Sequence, residues 1–376
     1  MEAFKIKNGI SATRYLGSNG TETAGSEGYS LGSASYDSVS FSVASQDTLP
    51  VAFAMKGDGT TLYMHGASND RLYQYTLSTA WDLSTISYAS KSFLTSTQNG
   101  NAGPVTFKSD GTSFYVSGST NDTVYQYDMG TAWDISTASY ASKSFSVSGQ
   151  ETVPTGLFFK SDGTKMYMLG SGTDSLYQYS LSTAWDVSSA SYDSVTFDLS
   201  SQGTATVSLY FKADGTQFYT TDVNGVFKYS LSTAWDISTA TYVETYNTTS
   251  ESTSPYQSWF KPDGTKMFVL GLTNDTIYQY STGGYTQTLD LATGTTFSFT
   301  PSGATTVSFT NPPATGNAIG FSVEVVGDGS AITWPSSVKW HEATAPTATA
   351  SKELYAFVTT DGGTTYYGKK AAEGIA

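Results

Sequence analysis

A repeat of about 52 residues runs through the middle of this sequence and constrains the fold more than any other feature. The tripeptide Asp-Gly-Thr begins at five positions that lie 52, 52, 52 and 49 residues apart: Asp58, Asp110, Asp162, Asp214 and Asp263. An apolar run ending in Lys precedes each copy, and a second apolar run follows it. A period of this length indicates one supersecondary unit per copy, packed against its neighbours.

Each period contains four short segments in which apolar and polar residues alternate. The first segment precedes Asp-Gly-Thr and the second follows it. The third contains a Tyr-Gln-Tyr run, and the fourth follows a Thr-Ala-Trp-Asp loop. Alternation with a period of two predicts β-strands rather than amphipathic helices. Asp-Gly between two such runs predicts a hairpin, in which Gly takes the positive φ of a primed two-residue turn. Four strands per repeat form an antiparallel meander, the blade of a β-propeller.

Counting the strands predicts how such a ring closes. The first three segments occur five times, but no fourth segment follows the last copy, which ends near Ser281. An alternating run at residues 38–43 precedes the first copy and is free to complete the last blade. This closure would pair an edge strand that otherwise invites aggregation. We therefore predict an all-β fold with a five-bladed β-propeller at residues 36–282, closed by an N-terminal strand.

The two ends of the chain follow other patterns. After Gly283 the repeat stops, and about eight short alternating runs separated by turn residues follow. They predict a small β-sandwich or jelly roll at residues 283–376. Residues 1–35 are rich in Gly and Ser. We interpret them as a leader, which is either a flexible tail or a tether that orders when it docks on a particle.

Part of the repeat resembles a known group of propellers. Residues 159–168 (FKSDGTKMYM) and 260–269 (FKPDGTKMFV) are similar to the F-S-P-D-G-x-x-L-Y-V element of YVTN-type propellers. The resemblance implies the fold and not the function, because such propellers include binders, enzymes and scaffolds. The chain differs from WD-repeat proteins, since it lacks their Gly-His element and places Trp-Asp in a loop.

The ends resemble segments of virus particles. Residues 332–340 (ITWPSSVKW) and 354–368 (LYAFVTTDGGTTYYG) are similar to a carboxy-terminal module of phage tail-fibre and other virion proteins. The start, FKIKNGISATRYLGSNGT, is similar to the leader of marine-phage structural proteins. The resemblance implies a virion protein that contacts other virion proteins through its leader.

Composition excludes several classes of protein. The formal net charge of −14 opposes binding to nucleic acid and to anionic membrane surfaces. The absence of Cys excludes disulfides and thiolate chemistry. The sequence starts without the apolar core of a signal peptide and has no membrane-spanning apolar run. We therefore expect synthesis in a host cytoplasm, and release by lysis as part of a virion.

Signals for catalysis are few. The only histidines, His65 and His341, lie in different predicted domains, so we expect no metal site and no cofactor. No nucleophile-elbow or phosphate-binding motif occurs. The Asp of Asp-Gly-Thr is copied in every repeat and serves a hairpin. The non-repeated Glu151, Glu244 and Glu251 leave open an acid pair of the kind that glycosidases use.

The Thr-Ala-Trp-Asp loops are the candidate binding site. An indole can stack on a sugar while the neighbouring Asp accepts hydroxyl bonds, and several weak sites on one ring gain by avidity. In the alternative interpretation each Trp packs between blades and its Asp caps a turn. The residues concerned are Trp81, Asp82, Trp133, Asp134, Trp185, Asp186, Trp235 and Asp236.

These observations favour a non-enzymatic phage virion protein, a tail-fibre or tail-tip adhesin whose propeller recognises host-surface glycan. A capsid decoration or head-fibre protein is the close alternative. A glycan-degrading propeller enzyme and a secreted bacterial lectin are the alternatives from other classes. The predicted partners are other virion proteins and a glycan, with no nucleic acid and no membrane insertion. A homo-oligomer is left open.

Overall fold

The computed structural model describes residues 22–25, 29–203, 205–283, 285–301, 305–327, 329, 332–341 and 343–375. These residues form 29 β-strands and four 3-10 helices, with no α-helix among them. None of the described helices has the length and apolar character needed to cross a membrane. The chain divides into two compact units. The larger comprises residues 31–262 and 266–282, and the smaller contains residues 263–265 and 283–376 together with the described part of residues 1–30.

Five four-stranded antiparallel sheets, here called blades 1 to 5, form the larger unit. Blade 1 consists of β3 (Pro50–Met55), β4 (Thr61–Gly66), β5 (Arg71–Leu77) and β6 (Ile86–Leu94). Blade 2 consists of β7 (Val105–Phe107), β8 (Ser113–Gly118), β9 (Thr123–Met129) and β10 (Ala138–Ser146). Blade 3 consists of β11 (Pro154–Phe159), β12 (Lys165–Gly170), β13 (Ser175–Leu181) and β14 (Ala190–Asp198). Blade 4 consists of β15 (Ser208–Phe211), β16 (Gln217–Asp222), β17 (Gly225–Leu231) and β18 (Ala240–Tyr246). Blade 5 consists of β19 (Pro255–Phe260), β20 (Lys266–Gly271), β21 (Thr276–Gly283) and β2 (Ser30–Ser42).

The first strands of the blades form a closed ring. Strand β3 contacts β7, β7 contacts β11, β11 contacts β15, β15 contacts β19, and β19 returns to β3. The predicted five-bladed β-propeller is therefore confirmed. Its core lies between the blades, where buried Leu, Met, Phe and Tyr side chains of one blade pack on those of the next.

The N-terminal strand closes the ring, as the strand count predicts. Strand β2 pairs with β21 as the outer strand of blade 5, and it begins eight residues before the alternating run that starts at Ser38. Its Asp37 accepts hydrogen bonds from Lys266 Nζ at 2.7 Å and from Gln279 Nε2 at 2.8 Å. Tyr36 packs edge-on against Tyr278. The first and last segments of the propeller are therefore held in one sheet.

The Asp-Gly-Thr hairpin differs from the predicted primed two-residue turn. Lys56 and Thr61 close a four-residue loop through the Lys56 N to Thr61 O bond. Gly59 has a left-handed φ of 74°, but Asp58 does not, and a type I′ turn requires both. The Asp58 carboxylate explains the difference, because it accepts from Thr60 N at 3.0 Å and Thr60 Oγ1 at 2.7 Å and so folds the chain back one residue later. The prediction of a hairpin was right and that of its turn type was wrong.

Because of the aspartates in these turns, we expect the protein to lose stability in acid. Burial opposes ionisation of Asp58, but the hydrogen bonds from Lys56 and Thr60 outweigh it and lower its pKa to about 2. The pKa values of Asp110 and Asp162 are also about 2, for the same reasons. A folded-state pKa below the unfolded value of about 3.9 gives stability that is complete above that value and lost as the pH falls through about 2. The carboxylates are about half exposed, so solvent screens each contribution.

We therefore expect the urea midpoint to fall steadily between pH 4 and pH 2 and to change little between pH 5 and pH 7. The variant Asp110→Asn should show a smaller fall over the acidic range, because it has one carboxylate fewer to protonate. A midpoint in Asp110→Asn that follows the wild-type curve at every pH would show that these turns do not set the acid response.

The smaller unit has two sheets around one core. The first sheet consists of β1 (Glu22–Gly25), β22 (Tyr285–Asp290), β24 (Thr305–Thr310) and β26 (Ile332–Thr333). The second consists of β23 (Thr296–Phe299), β25 (Ile319–Val326), β28 (Lys352–Thr359), β29 (Tyr366–Glu373) and β27 (Val338–Trp340). Leu289 and Val307 of the first sheet and Phe321 and Phe357 of the second belong to one hydrophobic cluster. The chain alternates between the sheets from β22 to β25, so β24 lies parallel to β22 and β25 parallel to β23.

Part of the predicted leader is a strand. Residues 22–25 form β1, which pairs antiparallel with β22 inside the smaller unit. Residues 1–21 and 26–28 of the leader lie outside the described residues. The role of the leader as a virion tether stays a prediction.

Candidate functional site

The four Trp-Asp loops connect the third and fourth strands of blades 1 to 4. In blade 2, Trp133 N donates to the carbonyl oxygen of Gly111 in the Asp-Gly-Thr turn at 2.9 Å. Asp134 then caps a 3-10 helix, because its Oδ1 accepts from Ser136 N at 3.1 Å. The same pattern recurs in every loop, and the helices are η1 (Leu83–Thr85), η2 (Ile135–Thr137), η3 (Val187–Ser189) and η4 (Ile237–Thr239). The sequence Trp-Asp-Ile-Ser-Thr is thus a local capping motif.

The indole rings lie between blades. The Trp133 ring packs on the Cα of Gly111 and stacks against Phe107 at 5.8 Å between centroids. It also stacks against Tyr63 of blade 1 at 6.4 Å, and the Tyr63 hydroxyl donates to the Trp133 carbonyl oxygen at 2.8 Å. Trp185 and Trp235 have the equivalent contacts, and Trp81 packs on Phe268 with 9% of its surface exposed. The rings therefore pack as the alternative interpretation expects, and the faces that sugar stacking would use are in contact with protein.

The aspartates of these loops are not equivalent. Asp134 Oδ2 pairs with Lys91 at 2.7 Å and Asp186 Oδ2 pairs with Lys143 at 2.8 Å, in each case with a lysine of the preceding blade. The hydrogen bond from Lys91 lowers the pKa of Asp134. For Asp82 of blade 1 and Asp236 of blade 4, the preceding blade carries Val39 and Val195 at the position of that lysine.

As a result, no hydrogen bond to the second carboxylate oxygen of Asp82 or Asp236 occurs within the described residues. Of the four predicted hydroxyl acceptors, these two keep a free oxygen. Glycan binding at the loops stays a prediction, and it now falls on Asp82 and Asp236 rather than on the indole faces.

A second repeated feature, a tyrosine on the outer strand of each blade, was not predicted from the sequence. The outer strand of every blade carries a Tyr at the same position, 36% exposed at Tyr88 and 40% exposed at Tyr242. Each ring packs edge-on or tilted against tyrosines of the third strand, as Tyr88 does against Tyr75 at 5.6 Å. The five residues are Tyr36, Tyr88, Tyr140, Tyr192 and Tyr242. Their signal in the sequence is the spacing, because the first four recur every 52 residues.

A β-bulge follows the outer-strand tyrosine in each of blades 1 to 4. In blade 1, Tyr88 pairs with Tyr75 and Lys91 pairs with Gln74, so two residues of β6 have no counterpart on β5. The second of them, Ser90, has a left-handed φ of 56°. A bulge bends its strand and redirects side chains, and it also interrupts an edge on which a foreign strand could pair. The bulges therefore place one Tyr at the perimeter of blades 1 to 4, with an adjacent Ser hydroxyl in blades 1 to 3.

The three non-repeated glutamates lie apart. Glu151, fully buried, accepts from Val153 N at 2.7 Å and from Gly172 N at 3.2 Å. Glu244 lies on the outer strand of blade 4 beside Lys228 at 3.4 Å, and Glu251 contacts the Tyr280 hydroxyl at 3.1 Å. Each of the three has different partners in a different part of the ring, so the structure does not bring them together as an acid pair.

His65 is a packing residue between blades 1 and 2. Its Nδ1 lies 2.8 Å from the carbonyl oxygen of Gly103, and its Nε2 lies 2.9 Å from Thr95 Oγ1. Complete burial lowers its pKa to about 4, so the ring is neutral at pH 7. His341 belongs to the smaller unit. Across the described ranges, no three His, Asp or Glu side chains meet in a way that could hold a metal ion.

Asn99 occupies in blade 2 the position that Asp47 and Glu151 hold in blades 1 and 3. Asp47 Oδ1 accepts from Leu49 N at 2.8 Å and from Ser68 N at 3.2 Å, whereas both amide atoms of Asn99 are buried without a partner. We expect Asn99→Asp to raise the free energy of unfolding at pH 7 by about 1 kcal/mol, because a carboxylate accepts backbone N–H bonds more strongly than an amide.

The reverse exchange is its control. Asp47→Asn should lower the free energy of unfolding by about 1 to 2 kcal/mol. Urea denaturation of both variants compares the two loops directly. A loss of stability in Asn99→Asp equal to that in Asp47→Asn would contradict the equivalence of the two positions.

Comparisons with known proteins add nothing beyond the fold. No family model matches the sequence, and no curated protein matches it significantly. A putative 6-phosphogluconolactonase from Bacteroides uniformis is 14% identical, over 59% of this chain and 64% of its own, with a TM-score of 0.39. A protein from Lactobacillus plantarum is 15% identical, over 62% of this chain and 67% of its own, with a TM-score of 0.41. The match thus spans less than two thirds of the first protein, and no argument on activity rests on either.

Proposed function

We propose that this chain is a non-catalytic, multivalent binding protein of a phage particle, and that its propeller recognises glycan on the host surface. The observation that carries the binding function is the set of five outer-strand tyrosines, four of which are followed by a β-bulge. An aromatic ring with hydroxyl-bearing neighbours suits a sugar, which offers both an apolar face and hydroxyl groups. Several weak sites on one rigid ring bind a dense surface far more strongly than one site does.

The absence of catalysis is part of the same proposal. The repeated Asp side chains bind turn residues and lysines, as Asp162 does with Lys160 and Thr164. The buried acids accept backbone N–H groups, as Glu151 does. We infer that carboxylates with these partners stabilise the propeller and do not act on a substrate.

Glycan binding is tested with the full chain on a glycan array and on host cells. The variant that carries Tyr88→Ser, Tyr140→Ser and Tyr192→Ser together is expected to lose about tenfold or more in apparent affinity for a dense glycan surface. Tyr367→Ser is the matched control, because Tyr367 is 58% exposed on the smaller unit. Equal binding by the triple variant, with a wild-type melting curve, would remove the tyrosines from the proposal.

The location in a virion rests on the resemblance of the two ends of the chain to phage structural proteins. Mass spectrometry and immunogold microscopy of purified particles, from a phage whose genome carries this gene, test it. Gold at the tail supports an adhesin, and gold on the head makes the protein a decoration or head-fibre protein. Absence from particles overturns the virion location and favours a secreted lectin.

A further inference from the structure

The loop that joins blades 1 and 2 contains an asparagine where the loops before and after it contain an acid. The acids are Asp47 and Glu151, and the asparagine is Asn99. Each side chain packs over the glycine that ends the second strand of its blade. A Cβ built on Gly66 would lie 2.2 Å from Asp47 Cγ, and one built on Gly118 would lie 2.3 Å from Asn99 Nδ2. The amide of Asn99 therefore lies where the neighbouring blades place a carboxylate.

Backbone N–H groups hold the acids in that place, but they do not hold Asn99. Glu151 Oε1 accepts from Val153 N, two residues further along the chain, at 2.7 Å. Its two oxygens also accept from Gly172 N and Thr173 N, at 3.2 Å each. Within the described residues, neither amide atom of Asn99 has a hydrogen-bond partner, although the side chain is fully buried. The reason is that an amide nitrogen carries donors, whereas a carboxylate accepts with both oxygens.

The residue after Asn99 is an exposed and unhindered glycine. Apart from its chain neighbours, the one atom within 4 Å of a Cβ built on Gly100 is Thr120 Oγ1, at 3.9 Å. No backbone hydrogen bond from Gly100 N occurs in the part of the chain that the structure describes. The nitrogen that follows an asparagine can attack the side-chain carbonyl carbon, and a residue without a Cβ allows the closest approach. Asn99 thus has both the sequence and the surroundings of a deamidation site.

Another copy of the same dipeptide is held in place. Asn224 Nδ2 donates to Asp222 Oδ2 at 3.1 Å, and Gly225 N donates a hydrogen bond to the same carboxylate. The attacking nitrogen and the amide are therefore both engaged at this copy. The remaining Asn-Gly pairs begin at Asn8 and Asn19, outside the described residues.

We propose that Asn99 is a self-modification site, which deamidates in the folded protein to an aspartate that completes its loop. Gly100 N attacks Asn99 Cγ, the bond from Cγ to Nδ2 breaks, and ammonia leaves with the proton of the Gly100 N–H. Water then adds to Cγ of the cyclic imide, the bond from Cγ to Gly100 N breaks, and that nitrogen regains a proton. The product carboxylate adds one negative charge to the formal net charge of −14.

The new carboxylate would tie the loop to its own blade. By the pattern of Asp47 and Glu151, its donors are the backbone N–H groups of residues 101, 120 and 121. A hydrogen bond to a carboxylate is roughly twice as strong as one between neutral groups. The conversion uses none of the outer-strand tyrosines, so it goes beyond the glycan proposal and is tested independently of it.

Incubation of the full chain at pH 8, in water enriched in oxygen-18, tests the conversion. Peptide mapping by mass spectrometry locates it, because the mass rises by about 3 Da with the heavy oxygen. In the folded chain we expect Asn99 to convert about tenfold or more faster than Asn224, because only Asn99 leaves its attacking nitrogen unengaged. In urea the two sites should convert at similar rates. No conversion at Asn99, or equal rates in the folded chain, overturns the proposal.

Fragmentation by electron transfer identifies the product. Attack of water on Cγ gives aspartate, whereas attack on the backbone carbonyl carbon gives isoaspartate, in which the chain runs through Cγ. Isoaspartate carries its carboxylate on a lengthened backbone and would not reproduce the bonds of Asp47. Aspartate as the main product supports the proposal, and isoaspartate as the main product overturns it.

Gly100→Ala is the blocking variant. Its methyl group hinders the attack, but the loop has room for it, so the variant should fold like the wild type. We expect it to slow the conversion of Asn99 about tenfold. Conversion at the wild-type rate would show that Gly100 N is not the attacking group.

Stability supplies a second readout. Aged wild-type protein should gain in urea midpoint and match fresh Asn99→Asp, whereas aged Gly100→Ala should keep the midpoint it had when fresh. Conversion without any gain in midpoint would overturn the proposed role of the new carboxylate.

Discussion

Replacing Gly59 by alanine is expected to lower the free energy of unfolding by about 3 kcal/mol. Gly59 has a φ of 74°, a conformation that costs an L-residue energy, and a Cβ built on it would lie 2.3 Å from Cε2 of Trp81. Because Trp81 is 9% exposed and packs between blades 1 and 5, its ring cannot move away without opening that contact. Urea denaturation at pH 7 measures the loss.

The same turn supplies the control. Gly57 has no atom within 4 Å of its Cβ position, so Gly57→Ala should change stability by less than about 0.5 kcal/mol. A double-mutant cycle separates the two causes, because in a Trp81→Ala background Gly59→Ala should cost only the backbone part, about 1 kcal/mol. Equal losses from Gly57→Ala and Gly59→Ala would show that the ring contact contributes nothing.

Phe41→Asp is expected to destabilise the protein by about 3 kcal/mol and to promote aggregation. Phe41 lies on β2, the N-terminal strand that completes blade 5, and packs edge-on against Tyr75 of blade 1 at 5.6 Å between centroids. A carboxylate there would be buried against apolar side chains and would detach the strand. Strand β21 would then expose its hydrogen-bonding edge to other molecules. Thermal unfolding and light scattering during refolding measure the two effects.

Ser40→Asp is the matched variant, since it adds the same charge to the neighbouring, exposed residue of β2. We expect a change within about 0.5 kcal/mol and no added aggregation. If both variants behaved alike, closure of the ring by β2 would not be what holds blade 5 together.

The repeat was enough to predict the number of blades and the closing strand, because both follow from short-range signals. Alternation with period two, the Asp-Gly turns and the missing last segment can all be counted along the chain. The turn geometry was predicted less well. The side-chain bond from Asp58 to Thr60 selects a four-residue loop, and a dipeptide signal does not include that bond.

The candidate sites depended on contacts between blades. Sequence reasoning left Trp133 either exposed or packed, and the choice is made by Tyr63 and Phe107, which the ring brings beside it. The outer-strand tyrosines were missed because a bulge follows them, of two residues in blades 1 to 3 and one residue in blade 4, and breaks the alternation that identifies the strand.

Lys228 shows most clearly that the neighbouring blade decides what a residue contacts. The third strand of the other blades carries Gln at this position, and that Gln accepts a backbone N–H from the 3-10 helix of the next blade, as Gln178 does from Ile237 at 3.4 Å. Blade 5 has no such loop, because its outer strand comes from the N-terminus, so blade 4 needs no Gln and Lys228 pairs with Glu244 instead.

The sequence by itself determined the strands, the blades and the order in which they close, because these depend on neighbours along the chain. Which side chains pack, which carboxylates lack a donor and which tyrosines face solvent was decided only by the tertiary structure. Those properties depend on what the next blade places opposite each residue, about 50 positions away in the chain.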